Sequence, residues 1–165
     1  MQRELFVPQS STKDIDHGWK EFTREVKDIK GSYTKVGFPS DSKAKEEDGG
    51  SVVDIALYNQ FGVPSKNIPA RPFMSLAYDK NKHKINEFKA KQYELVKAKK
   101  SSAEKALMAI GEFMIGLIRK EITDLKEPAN KESTKKRKGS SNPLIDTGIM
   151  RSSVTQSINM KGKNV

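Results

Sequence analysis

Leu107-Met108-Ala109-Ile110-Gly111-Glu112-Phe113-Met114-Ile115-Gly116-Leu117-Ile118-Arg119-Lys120-Glu121-Ile122 decides how this chain folds. Leu107, Ile110, Met114, Leu117, Ile118 and Ile122 recur at helical spacing and so share one face. A helix with one apolar and one charged face must cover the apolar one, and the chain offers a sheet to do it. Ser153 to Met160 alternates, with Val154, Ile158 and Met160 on one side and Ser153, Thr155, Ser157 and Asn159 on the other. That period of two is the clearest strand signal in the sequence. Ser32 to Phe38 reads as a second strand, with Tyr33 and Val36 as β-formers, Gly37 as a bulge and Pro39 as its stop. The expected class is α+β: a small, mostly antiparallel sheet packed by a long helix and an N-terminal helix, with extended loops.

The N-terminal helix is expected over Thr12 to Lys30, where Ile15, Trp19, Phe22, Val26 and Ile29 share a face, Thr12 caps and Gly31 stops. In Val52 to Phe61, Val52, Ile55, Ala56 and Asn59 fit a short helix about as well as a strand, and a helix is the expectation adopted. Gly62 to Phe73 holds Pro64, Pro69 and Pro72, which fix φ and withhold backbone donors, so it is a rigid loop and not a central strand. Met74 to Leu125 is mainly helical, its first part marked by Met74, Ala77, Tyr78, Ile85 and Phe88. The lysine-rich portion Lys89 to Ser102 thins to Tyr93, Leu95 and Val96, and is expected to project or to lie on a neighbour. Pro128 is the expected helix terminator. Mobile loops are expected near 40–50 and 129–142 within a single domain spanning 1–165, since such charged, small-residue segments bury too little apolar area to offset their ordering entropy.

Composition narrows the function. The chain has 165 residues, 35% of them hydrophobic and 32% charged, so part of it is expected to be extended, mobile or ordered only by a partner. Without cysteine there is no disulfide framework, thiolate metal site or cysteine nucleophile. Met1 to Ser11 lacks the apolar run of a signal peptide, and no stretch approaches the ~20 apolar residues that cross a bilayer. A soluble protein made in the cytoplasm, without a membrane partner, is the expectation. Lys80 to Lys138 carries 17 Lys and Arg against 8 Asp and Glu, nearly all of the net charge of +10. Such a surplus suits nucleic acid, an acidic protein surface or only solvent. Few aromatics interleave the lysines, which is unlike the stacking platforms of single-strand readers.

Signatures of chemistry are missing: no phosphate loop, no His-Glu-x-x-His, no Gly-x-Ser-x-Gly, no dinucleotide fingerprint. His17 and His83 stand alone in charged helical contexts, and Asp14 and Asp16 point in different directions from a helix. Asp54, Asp79 and Asp146 have no spacing that favours a carboxylate site over ordinary capping. Asp146-Thr147-Gly148 occurs once, where a protease of the paired-carboxylate type needs two carboxylates sharing a proton. The triplet reads instead as a turn: Asp or Thr caps, Gly148 accepts positive φ, and Arg151 and the strand follow. Arg71, between two prolines and near Phe73, is expected to meet a carboxylate bidentately, within the subunit or across an interface. No catalytic, cofactor-binding or metal-ligating residue is assigned, and no cofactor is expected.

Tyr58-Asn59-Gln60-Phe61-Gly62, Ile68-Pro69-Ala70-Arg71-Pro72-Phe73, Gly111-Glu112 with Ile118, Lys138-Gly139-Ser140-Ser141 and Pro143-Leu144-Ile145-Asp146-Thr147-Gly148 with Met150-Arg151 and Ser153 occur in that order. In this order and over roughly Val52 to Ile158, the chain resembles the neck and tail-completion proteins of tailed bacteriophages. In related phage families the Asp-Thr-Gly group comes first. The resemblance implies a small α+β virion subunit with no enzymatic task. It would form a homo-oligomeric ring, a hexamer or dodecamer, at the head–tail junction as a neck, tail-completion or tail-terminator protein. Its implied partners are the tail tube and the head–tail connector, with genomic DNA passing transiently through the lumen. The residues expected to organise loops and interfaces are Phe61, Gly62, Arg71, Pro72, Phe73, Asp146, Thr147, Gly148 and Arg151. Lys135, Lys136, Arg137 and Lys138 are expected to contact an acidic partner or nucleic acid. The alternative expectation is a basic nucleic-acid-binding module using the whole 80–138 segment.

Overall fold

A computed structural model describes residues 19–39, 45, 50–161 and 163–164. The elements are α1 (Trp19–Ile29), β1 (Tyr33–Gly37), α2 (Val52–Phe61), a 3-10 turn (Pro64–Lys66), α3 (Phe73–Lys97), α4 (Ala103–Asp124), α5 (Glu132–Lys138), α6 (Ile149–Ser152), β2 (Thr155–Met160) and β3 (Lys163–Asn164). The strands form an antiparallel sheet in the order β1-β2-β3, with Tyr33 opposite Asn159 and Gly37 opposite Thr155. Pairing is one-for-one through Gly37, so the bulge expected there is not present. The class is α+β, as the alternation and helical periods imply.

The sheet lies on α4, and it comes up against the helix backbone at Gly111. A Cβ there would fall 1.7 Å from Gln156 Oε1 and 2.9 Å from Thr34 Oγ1. Glycine in mid-helix costs about 1 kcal/mol relative to alanine. Here it leaves room for Gln156, whose Nε2 donates to Met108 O (3.2 Å) and Glu112 Oε1 (2.8 Å) and whose Oε1 accepts from Thr34 Oγ1 (3.2 Å). The buried stripe of α4 runs through Ala106, Gly111, Ile115, Ile118 and Ile122. It is rotated slightly from the expected one, so Leu107, Ile110, Met114 and Leu117 flank it half-buried.

The long helix is two helices in a hairpin. Its break falls at Ala98–Ser102, where Lys99 takes φ +57° and Ser102 caps α4 by accepting from Lys105 N at 3.2 Å. A third group reinforces the cap, since Glu25 Oε2 on α1 accepts from Ala103 N at 2.7 Å. Lys89 to Ser102 therefore does not project; Gln92 and Val96 are buried as α3 returns along α4. Lys80 on α3 pairs with the buried Glu121 of α4 at 2.6 Å, and Phe88 stacks on Phe113 with centroids 4.5 Å apart. Helix α1 packs against this hairpin, and Gly31, at φ +82°, follows its end as expected. The expected start at Thr12, and Ile15 and His17, lie outside the described residues, as does most of the 40–50 loop.

Helix α4 ends at Asp124 with Leu125 as its cap, before Pro128 is reached. The 129–142 stretch contains α5, in which Glu, Lys and Arg, good helix formers, outnumber Ser133 and Thr134, and it ends on Gly139 at φ +65°. The main core gathers at the end of the molecule where α2, α6 and the start of α3 meet α4. Val52, Ala56, Phe73, Ala77, Ile115, Ile118, Ile122, Leu125, Leu144, Met150 and Val154 form it. Phe38 meets Phe73 edge-on at 6.2 Å.

Candidate functional site

Above that core, Tyr58 to Gly62 and Pro69 to Phe73 form one interlocked unit. Helix α2 ends because Gly62 takes φ +75° while its N–H bonds Tyr58 O at 2.8 Å. The chain then doubles back in a tight hairpin, Val63 and Ile68 exchanging backbone bonds at 2.8 and 3.1 Å, with Asn67 left-handed at φ +52°. A Cβ on Gly62 would lie 2.7 Å from Ala70 N and 3.0 Å from Ile68 O, so only glycine lets the returning strand come this close. Asn59 O accepts from Arg71 N at 2.6 Å. Gln60 Oε1 accepts from Met74 N at 3.1 Å and its amide donates to Ser75 Oγ at 3.0 Å, which caps the start of α3.

Arg71 is buried, 4% exposed, and its guanidinium is spread over three oxygens. Nε donates to Pro128 O (2.8 Å), Nη1 to Asn59 Oδ1 (3.2 Å) and Nη2 to Asn130 Oδ1 (3.0 Å). The expected bidentate carboxylate is replaced by neutral oxygens of the same subunit. Burial pushes the Arg71 pKa down from its ordinary value, and the field of Glu127 partly offsets this. The arrangement ties α2, the proline loop and the 128–130 connection together. Its cost is a buried charge held without a formal counter-ion.

Pro143 to Gly148 lies opposite. Asn142, 9% exposed, fixes it: Oδ1 accepts from Leu144 N (2.9 Å) and Ile145 N (3.1 Å), and Nδ2 donates to Thr123 O (2.9 Å) at the end of α4. Gly148, at φ +87°, starts α6, and Thr147 Oγ1 accepts from Ile149 N at 3.2 Å. The turn reading of the triplet holds, with Thr147 rather than Asp146 as the capping side chain. Asp146 is exposed and, among the described residues, forms no ion pair. Arg151 is exposed, its Nη1 3.4 Å from Thr123 Oγ1.

Both motif groups, with part of α5, line one groove of about 1270 Å³. Asn59, Phe61, Gly62 and Arg71 come from one side, Asp146, Thr147 and Met150 from another, and Lys131, Arg137 and Lys138 from a third. Phe61 is 72% exposed at its edge, with Tyr58 and Leu57 also exposed and Lys66 Nζ 4.9 Å over the Tyr58 ring. The expected site residues thus divide. Phe73 is fully buried core, Pro72 half-buried beside it, and Arg71, Gly62 and Gly148 hold the backbone; Phe61, Asp146, Lys136 and Arg137 face outward. Lys135 pairs with Glu132 at 2.7 Å, and Lys138 Nζ is 3.5 Å from the carbonyls of Asn142 and Pro143. Asn130 and Asn142 belong to none of the expected site residues; the signal the sequence offers for them is an asparagine before or near proline in a turn-rich stretch.

Among the described residues no three His, Asp or Glu side chains cluster as metal ligands, and no helix is long and apolar enough to cross a membrane. His83 is an exposed partner of Glu87 at 3.3 Å. The groove holds positive charge, an apolar rim and fixed backbone, which suit recognition. Compared with protein-family models, curated proteins and solved structures, the chain matches none of them.

Proposed function

We propose that this protein is a structural subunit of a tailed-phage virion, forming a ring at the head–tail junction and joining the tail tube to the head connector. The observation that carries the reading is the convergence of the two motif groups of the phage resemblance, far apart in the chain, on one groove. Residues within each group divide between holding that groove in place and presenting exposed side chains along it. Asn59, Gly62, Arg71 and Phe73 hold the backbone or fill the core, while Phe61 and Asp146 remain exposed. Such a division suits a docking frame, in which preorganised loops lower the entropy lost on assembly.

The test is electron microscopy of lysates from a phage genome carrying this gene with the gene disrupted, complemented by the parent or by Phe61→Ser with Asp146→Ala. Disruption is expected to leave full heads beside unattached or overlong tails, and the double variant to complement poorly although it accumulates as folded protein. Normal infectious particles without the gene would overturn the reading.

A further inference from the structure

The groove's own chemistry narrows what occupies it. Lys66, Arg71, Lys131, Arg137 and Lys138 line it against one carboxylate, Asp146. Among the described residues Lys66, Lys131 and Arg137 form no ion pair, and all three are exposed. Beneath them Arg71 donates only to neutral oxygens. Asn130, whose Oδ1 is committed to Arg71, keeps its amide Nδ2 buried without an acceptor. A buried donor left unmade costs about 1–3 kcal/mol, so this floor lacks an acceptor at Asn130, and the nearby Glu127 acts on Arg71 through its field without an ion pair. At the rim the 72% exposed Phe61 offers apolar area to a ligand that carries carboxylates and an apolar side chain together.

We infer that the groove is the docking site for an acidic segment of a partner protein, whose carboxylates lie over the Arg71–Asn130 floor and basic rim and whose apolar side chain packs on Phe61. Nucleic acid fits less well. The Tyr58 face already carries Lys66, which leaves Phe61 as the stacking surface, and two cations of α5 are turned to their own chain through Glu132 and the Asn142 and Pro143 carbonyls. An extended basic stripe that tracks phosphates is therefore not presented. The inference rests on the proposed reading only in taking this face as a protein-docking face.

The experiment is fluorescence anisotropy with the full chain and a labelled peptide of repeated Asp-Phe-Glu-Leu units. Competitors are the same peptide with Asn and Gln for Asp and Glu, and oligothymidine of matching charge. The acidic peptide is expected to bind, and Lys131→Glu with Arg137→Glu, or Phe61→Ser, to weaken it about tenfold or more. The same charge change on the exposed face of α3, Lys89→Glu with Lys91→Glu, is expected to stay within about twofold. Equal loss in the α3 control, equal binding of the amide peptide, or preference for oligothymidine would each overturn the inference. So would self-association of the parent, seen by light scattering, that the groove variants abolish, since a second copy would then be the occupant. Peptide binding and particle assembly are read separately, so failure here leaves the particle experiment's answer standing, and normal particles leave the peptide result standing.

Discussion

Replacing Arg71 by methionine keeps the volume of the side chain and removes every donor. Three oxygens then lose their partner: Pro128 O, Asn59 Oδ1 and Asn130 Oδ1. Each buried acceptor left unmade costs about 1–3 kcal/mol, while relief from burying the guanidinium returns a few kcal/mol and the groove admits some water. A net loss of about 3 kcal/mol is expected, more than a hundredfold in the folding equilibrium. Arg71→Lys keeps the charge but cannot span three acceptors in one plane, and is expected to lose about 2 kcal/mol. Urea unfolding followed by circular dichroism reads both. With a slope of about 2 kcal/mol per molar, the methionine midpoint falls by about 1.5 M at unchanged slope. A methionine midpoint within ~0.3 M of the parent, or a lysine variant indistinguishable from it, would refute the clamp as described.

Two further predictions concern backbone and turn. Gly62→Ala combines left-handed strain of about 1–2 kcal/mol with a clash against Ala70 N and Ile68 O worth a similar amount. Thermal unfolding is expected to drop by roughly 6–12 °C, whereas Gly139→Ala, at φ +65° with nothing within 4 Å, bears the strain alone and falls by about half as much, roughly 3–6 °C; equal drops would show that the close approach is immaterial. Asn142→Ala removes two acceptor contacts to Leu144 N and Ile145 N and one donor to Thr123 O, and is expected to cost about 2 kcal/mol. Hydrogen exchange at the Leu144 and Ile145 amides should accelerate at least tenfold, and unchanged protection there would mean the turn is held by packing alone.

Patterns local in sequence were readable where they coincided with the final burial. Helix α2 runs Val52–Phe61, where the spacing fits helix and strand about equally, and β2 takes up the alternating segment from Thr155, with Asn159 buried beside Ile158 instead of lying on the polar side. The α3–α4 break was not readable, because Tyr93, Leu95 and Val96 continue a helical pattern and one of the groups that fixes α4's start, Glu25, comes from α1. Helix α5 was hidden for the opposite reason: its lysines bury little, yet Lys, Arg and Glu lose little rotamer freedom in a helix. At Arg71 the residue type and its rigid setting were visible, but its partners were not. Two of them, Pro128 and Asn130, are supplied from almost sixty positions away, and no spacing rule encodes such a pairing.

The low apolar fraction and the placing of the core bear on the same question. Much of the buried apolar set lies directly beneath the groove, where Phe73, Leu144 and Met150 anchor the loops whose neighbours face outward. Along the outer part of the α3–α4 hairpin, burial thins to Ile85, Val96, Ala103 and Ala106, helped by the Phe88–Phe113 stack. Stability is thus concentrated where loop geometry has to be held. Arg71 fits the same arrangement, since desolvation of its buried cation offsets part of what its three hydrogen bonds contribute. What it provides is a fixed relation between α2, the proline loop and the 128–130 segment, with an unmet donor on Asn130 beside it. On the proposed reading, a backbone frame held in this way leaves the ordering entropy lost on docking to the exposed side chains of Phe61 and the basic rim.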